Sequence, residues 1–449
     1  MNRLENSLLR YNKFKHRNVS KKKSKYHKFC EGINQIASLT SFHGFKYMDK
    51  NRISQENVFI LCGIQIFSLV RYWNEGKIIM MQENAKLNIW DIPFPAITIC
   101  SESQINATGL KEAEKNLKSE EYEDILDYSE VACFANYLKN FSDHHLHKET
   151  LKYVFKKLVL SCNDTVIALI WINDFVQYPC QYFQPIVTAT GFCFTLNMIP
   201  HRQLFTSEFI NDLESYRNDK FFYKINQSEP SWEPKSGFLS NNPFTPPWRV
   251  PGIRKYNSVE LSLNIKHENF ENYCNITGSG LLIMIHNPID FPVQLNGNFI
   301  HPNTYNEITI MPRMVTASEE LERWHPSFRG CYYNHEKVLK FFKLYSLYNC
   351  ELECRANKTK DMCGCVPHYY PRIRNTPVCG KSHRLCVIVA QSTGFSVFAN
   401  ENITEENSYF NTNCRCLPAC IDLTYDVKIT KMKRKWEHIR FANSTHSNK

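Results

Sequence analysis

The amino-acid sequence predicts an α+β fold: a disulfide-rich extracellular domain anchored to a membrane. Three observations predict it. Of 18 cysteines, 16 fall at or after Cys100, and ten of those lie between Cys331 and Cys420. Eight N-x-S/T sequons lie after residue 100, at Asn106, Asn140, Asn163, Asn226, Asn275, Asn357, Asn402 and Asn443. Together they point to oxidised pairs and glycosylated loops in a secretory compartment. Charge is polarised: Met1–Arg52 carries 13 Lys+Arg against 3 Asp+Glu, and the whole chain nets the same +10, so the remainder is neutral. A chain of 449 residues with 13% aromatics is long enough for two or three subdomains and is not a disordered one.

The elements follow in chain order. The basic opening RYNKFKHRNVSKKKSKYHK, within residues 1–57, reads as the cytosolic flank of a membrane segment. It also places the later cysteines and sequons outside the cell. No nucleic-acid module follows it, so no nucleic-acid partner is expected. The segment it flanks, VFILCGIQIFSLV (Val58–Val70), is apolar apart from Gln65 and Ser68, with Arg71-Tyr72-Trp73 at an interface-like position. Thirteen helical residues reach about 20 Å, short of a hydrocarbon core of about 30 Å. Residues 58–73 are therefore expected to be a shortened membrane helix, and no small-x-small cleavage site follows to mark a signal peptide.

Residues 74–449 form the expected extracellular part. IWDIPFPAITICSES (Ile89–Ser103) is a proline-bounded strand with Ala96, Thr98 and Cys100 on one side and Ile97 and Ile99 on the other. LKEAEKNLKSEEYEDILDY and HKETLKYVFKKLVL read as charged helices between 110 and 160. Strands are expected in IVTATGFCFTLN, VELSLNI, GLLIMIHN and EITIMPRMVTAS, and the proline-rich NNPFTPPWRVPG is expected to mark a boundary. KMKRK (Lys431–Lys435) is expected to be a solvated segment.

The cysteine-rich module starts at Gly330. Cys350 and Cys354 are four apart in KVLKFFKLYSLYNCELECRA, which can be helical, and so share one face about 6 Å apart. Cys414 and Cys416 are two apart in NCRCLPAC and, if extended, share a face about 6.6 Å apart. The matched separations allow a helix and a facing strand to be joined by two rungs. Zinc would want CxxC knuckles converging on one point, so disulfides are favoured and no metal or cofactor is expected.

GCYYNHEKVLKFFKLYSLYNCELECRANKTKDMCGCVPHYYPR, PVCGKSHRLC and CRCLPACIDLTYDV resemble the cysteine-rich thumb of degenerin/epithelial sodium channel subunits, closest in flavour to the insect pickpocket branch. FPAITIC, GFCFTLN and His43-Gly44 in FHGFKY resemble the same family, in the right order over residues ~25–440. The resemblance implies a subunit of a trimeric, amiloride-sensitive, plasma-membrane sodium channel, with sodium as transported species and other subunits as partners. It implies cytosolic termini and a hand-like ectodomain. Carried onto this chain, that means palm-like strands at 93–100 and 186–318, a helical finger at 105–180 and a thumb at 331–420. It further implies the disulfides Cys100–Cys193, Cys331–Cys420, Cys350–Cys416, Cys354–Cys414, Cys363–Cys386 and Cys365–Cys379, and a gating role for His43 and Gly44. Cys133, Cys162, Cys180 and Cys274 remain, paired here as Cys162–Cys180 and Cys133–Cys274.

Two features depart from the family pattern. The chain stops 29 residues after Cys420 without a second apolar span or the Gly/Ser-x-Ser filter, and the first span is compressed. The expectation is a truncated isoform or an incomplete gene model, not conducting by itself; the alternative is a poreless regulatory or secreted binding ectodomain. No GxSxG, HExxH, Walker or GxGxxG pattern suggests an enzyme. His144, His145 and His147 in DHHLHKE are expected to form a solvated loop rather than a metal or proton site.

Overall fold

Six residues with two apolar faces, Ala96–Ser101, form β1, the centre of a five-stranded sheet. The computed structural model describes residues 55–74, 88–101, 105–132, 145–209, 231–239, 246–253, 256–265, 280–293, 297–373, 375–392 and 414–433. The chain divides into two units, Met1–Met81 and Gln82–Lys449.

The first unit contributes helix α1 (Gln55–Asn74), 20 residues long. Polar residues at both ends therefore join the apolar run in one helix, spanning about 30 Å at 1.5 Å per residue. Ile64, Ile66, Phe67, Leu69 and Val70 are all exposed. Among the described residues, no helix is both long and apolar enough to cross a membrane.

In the second unit, β1 lies between β10 (Leu281–His286) and β6 (Gly191–Leu196), with β11 (Asn298–Ile300) and β5 (Phe183–Thr188) at the edges, every pair antiparallel. IVTATGFCFTLN is thus a hairpin, β5–β6, rather than one strand. Both faces of the sheet are buried. Ala96, Cys100, Ile186, Cys193, Leu282 and Met284 pack with Phe205, Phe291 and Phe342 on one side. Ile97, Ile99, Phe194, Leu196 and Ile283 pack with Leu169, Trp171 and Trp248 on the other. At roughly 1.5–3 kcal/mol per buried large side chain, these two layers hold the sheet.

Helices α2 (Ala107–Asn116), α3 (Ser119–Ala132) and α4 (Lys148–Tyr153) form a separate cluster around Leu110, Ile125, Leu151 and Leu158. The span 105–180 is not wholly helical, however. β3 (Val166–Trp171), whose apolar Val166, Leu169 and Trp171 are buried, pairs with β4 (Asp174–Phe175) and β9 (Val259–Leu263) and covers the sheet. β7 (Trp232–Glu233) and β8 (Gly237–Phe238) form a small hairpin.

NNPFTPPWRVPG does not mark a boundary: Trp248 is buried, packs at a tilt against Trp171 with ring centroids 4.8 Å apart, and its carbonyl accepts from Phe94 N–H at 2.7 Å. Large aromatic area outweighed the prolines. The described part of KMKRK, residues 431–433, is exposed as expected, but its backbone is paired. These residues end β14 (Asp422–Lys433), which pairs over its whole length with β12 (Thr304–Val315), and Lys431 Nζ donates to Phe299 O at 3.1 Å.

Candidate functional site

The cysteine-rich unit is built on helix α5 (Leu347–Cys363), capped by Ser346, whose hydroxyl accepts from Asn349 N–H. The helix starts later than its sequence suggests. Residues before Ser346 instead bridge to the neighbouring segment, with Phe205 opposite Phe342, Thr206 N–H on Phe341 O and Lys343 N–H on Leu204 O. Gly364 ends α5 at φ +71°, a conformation costly for residues with a Cβ. The chain reverses there, so Cys363 and Cys365 part company: one meets Cys386, the other Cys379.

Along α5, Cys350 bonds Cys416 and Cys354 bonds Cys414, with Cα separations of 5.9 and 5.7 Å. Cys331–Cys420 closes the unit, beside the bridge of Tyr332 with Ala419. Cys100 and Cys193 sit directly opposite in the β1–β6 register, 4.5 Å between Cα atoms, which is the spacing of a non-hydrogen-bonded antiparallel pair. Cys162 bonds Cys180.

Side-chain hydrogen bonds fasten this unit to the segment after β10, brace it internally and tie that segment to β14. Asn349, fully buried on α5, donates to Ile289 O at 2.9 Å and accepts from Phe291 N–H at 3.0 Å. Glu353 accepts from the N–H groups of Lys340 and Phe341, both at 2.9 Å. Asn287, at the end of β10, donates to Leu423 O on β14 at 2.9 Å. From β14 the Tyr425 hydroxyl reaches Pro93 O at 2.6 Å. The connection thus runs from the ladder helix through residues 287–291 to the long β12–β14 ribbon and back to the residues before β1. Asn197 makes the other junction: at φ +65° its side chain donates to Phe94 O at 2.6 Å and accepts from Trp248 N–H at 2.5 Å. Its short polar side chain suits that left-handed position.

Arg329 lies under the entry to the unit with its side chain fully buried. It donates to the carbonyls of Leu321, Glu322, Trp324 and Cys331 and to the Glu336 carboxylate. Burial pushes the Glu336 carboxyl up, but hydrogen bonds from Arg329 and from Tyr333 N–H bring it below the ordinary range.

Two titratable groups sit at the junction, His286 buried and Asp290 half-buried. His286 Nδ1 faces Asn287 O at 2.9 Å, and a carbonyl only accepts, so Nδ1 carries the proton. Nε2 then accepts from Thr98 Oγ1, which in turn accepts from Thr195 Oγ1, each at 2.8 Å. Burial lowers His286 to about 4, outweighing the hydrogen bond to Asn287. Burial raises the Asp290 carboxyl to about 7, with the Asp422 charge adding to it and a Ser346 hydrogen bond opposing it. The signs are opposite. His286 contributes stability present above its ordinary value of 6.5 and lost as pH falls toward 4. Asp290 contributes stability present below 3.8 and lost as pH rises through about 7. Between pH 4 and 6.5 the two offset each other. Asp290→Asn should therefore be more stable than the parent above pH 7. Toward pH 4 its stability should fall more steeply than the parent's, by roughly 1.4 kcal/mol per pH unit. Urea midpoints from pH 4 to 8 would show it; a variant profile parallel to the parent's would refute the assignment.

The remaining sequence candidates are placed as follows. Asn106 caps α2, accepting from Thr108 N–H and Oγ1 at 3.0 and 2.6 Å, while Asn163 and Asn357 are exposed. His145 and His147 have partners: His145 stacks on His383, and His147 lies 3.9 Å from Asp124. His43, Gly44, Cys133, Cys274, His144, Asn140, Asn226, Asn275, Asn402 and Asn443 lie outside the described residues. Asn287, Asp290, Arg329, Asn349 and Glu353 were not singled out from sequence. The one available signal was HNPID, polar residues interrupting the apolar run of β10.

A family description, amiloride-sensitive sodium channel, matches residues 36–449. The chain is 26% identical to pickpocket protein 28 of Drosophila melanogaster over 409 residues, covering 86% of this chain and 62% of that protein. It is 23% identical to sodium channel protein Nach of the same species, covering 88% and 72%. Against pickpocket protein 19 the identity is 20%, covering 83% and 71%. The chain thus spans about three fifths of the length of pickpocket protein 28.

Proposed function

Because the chain belongs to the amiloride-sensitive sodium channel family, we propose that it is a sodium-channel subunit of the plasma membrane, assembling with other subunits and exposing most of its length outside the cell. The observation that carries this reading is the mechanical continuity of the junction. A disulfide-braced helix, α5, is hydrogen-bonded to residues 289–291, and Asn287 is bonded to β14. A packed, cross-linked element of this kind moves as a body, so a stimulus displacing it pulls on the β12–β14 ribbon rather than dissipating locally.

In this reading the five-stranded sheet is the palm, the α2–α4 cluster the finger and the cysteine-rich unit the thumb. Helix α1 is the first membrane helix, with His43 and Gly44 on its cytosolic side. Asn106, Asn163 and Asn357 carry glycans, together with the sequons outside the described residues.

The test is expression of the chain in cells with and without a full-length pickpocket subunit. Membrane retention, glycosidase-sensitive mass, co-purification with the second subunit and a change in its amiloride-blocked sodium current are expected. A soluble product recovered from the medium, with no co-purification, would instead favour a secreted binding ectodomain.

A further inference from the structure

We propose that His145 and His383 form a two-imidazole site for a borderline divalent cation of the zinc class, bridging the α2–α4 cluster and the cysteine-rich unit. This inference stands apart from the channel reading. His145 lies on β2 (His145–Leu146), which pairs with β13 (Val378–Cys379), so His145 sits opposite Cys379. His383 follows four residues after Cys379, in the turn leading into α6 (Arg384–Ser392). Two short stretches far apart in sequence thus bring two imidazoles together, ring centroids 4.7 Å apart and planes within 17°.

A ring nitrogen from each histidine and the Cys365 sulfur lie within 4.8 Å of one another. The sulfur is committed to Cys379, so it supplies no thiolate. What remains is an all-nitrogen pair open to solvent on one side, which suits Zn²⁺, Ni²⁺ or Cu²⁺ with water completing the shell. Tetrahedral zinc at about 2.0–2.1 Å from each nitrogen needs the two about 3.3 Å apart. His145 is exposed and can rotate to close that gap, whereas Ser382 Oγ, 2.9 Å from His383 Nδ1, orients the second ring. The nearby Lys381 charge is balanced by Asp127 and Glu130 on α3, at 3.7 and 3.5 Å, so it does not repel an incoming cation unopposed.

Two protein ligands predict a micromolar rather than nanomolar site. The test is calorimetric titration of Zn²⁺ into the full chain in detergent. The expected result is one site whose affinity falls at least tenfold in His145→Ala and in His383→Gln, the latter retaining a partner for Ser382. His147→Ala, altering an exposed neighbour, should bind as the parent does. Copper added in place of zinc should give an electron paramagnetic resonance spectrum with two equivalent nitrogens. Absence of binding below millimolar zinc would overturn the proposal, and so would parental affinity in either His145→Ala or His383→Gln.

Discussion

Removing one rung of the ladder, with Cys354→Ser and Cys414→Ser, should cost about 2 kcal/mol; removing both rungs should cost about 5–6 kcal/mol. The asymmetry follows from nesting. Cys354–Cys414 spans 60 residues, but Cys350–Cys416 lies one helical turn away and already holds the same two segments. The loop that the inner rung closes is therefore only four residues of helix and two of the facing segment. Chain-entropy scaling gives a closure that small about 2 kcal/mol. Once one rung is gone, the survivor is backed only by Cys331–Cys420, nineteen residues away on one side and four on the other. Its loss then releases a much larger loop, worth about 3.4 kcal/mol on the same scale. The double variant should also free Asn349 from Ile289 and Phe291, so the cysteine-rich unit loosens from the segment after β10. Urea unfolding of the two single-rung variants and the combined variant would measure this. Strict additivity, with the combined loss equal to twice the single one, would mean that the rungs act independently.

Arg329→Ala should destabilise the chain by roughly 3–5 kcal/mol, because a buried ion pair is broken from one side. Five acceptors lose their donor at once: four carbonyls and the Glu336 carboxylate. The carboxylate is left partly buried without its cation, and the carbonyls lose their shared donor. In a unit of this size the loss corresponds to a fall in melting temperature on the order of 5–15 °C. Arg329→Lys should recover little, since an ammonium has three donors and no planar fork. A lysine variant melting with the parent would show that charge alone, not the five-donor geometry, is what this site requires.

How much of this was legible in advance varies with the physics involved. The near-continuous apolar run AITICS gave both faces of β1, because successive side chains of a strand point to opposite sides and both sides here are buried. The four-residue spacing placed Cys350 and Cys354 on one face of α5, since only a helix brings positions four apart together; the expected facing strand did not form, because Arg415 between Cys414 and Cys416 turns at φ +45°. The direction of the ladder came from resemblance, as spacing is symmetric to reversal. The late start of α5 was not legible. KVLKFFKLY has helical periodicity, and only the presence of residues 204–206 alongside draws Phe342 into a bridge. NNPFTPPWRVPG misled for a similar reason: prolines mark turns locally, while Trp248 is held by Trp171 from a distant strand.

The sequence by itself pointed to the paired cysteines after Cys100 and to the class of fold, because cysteine count and apolar period are local quantities that summation reveals. The tertiary structure alone decided the junction. Asn287, Asn349, Asp290 and Arg329 are ordinary polar residues in sequence. They become determinants only when folding withdraws them from water and brings partners from elsewhere in the chain within hydrogen-bond reach. The same holds for His145 and His383, which neither periodicity nor spacing relates and which meet because two two-residue strands pair.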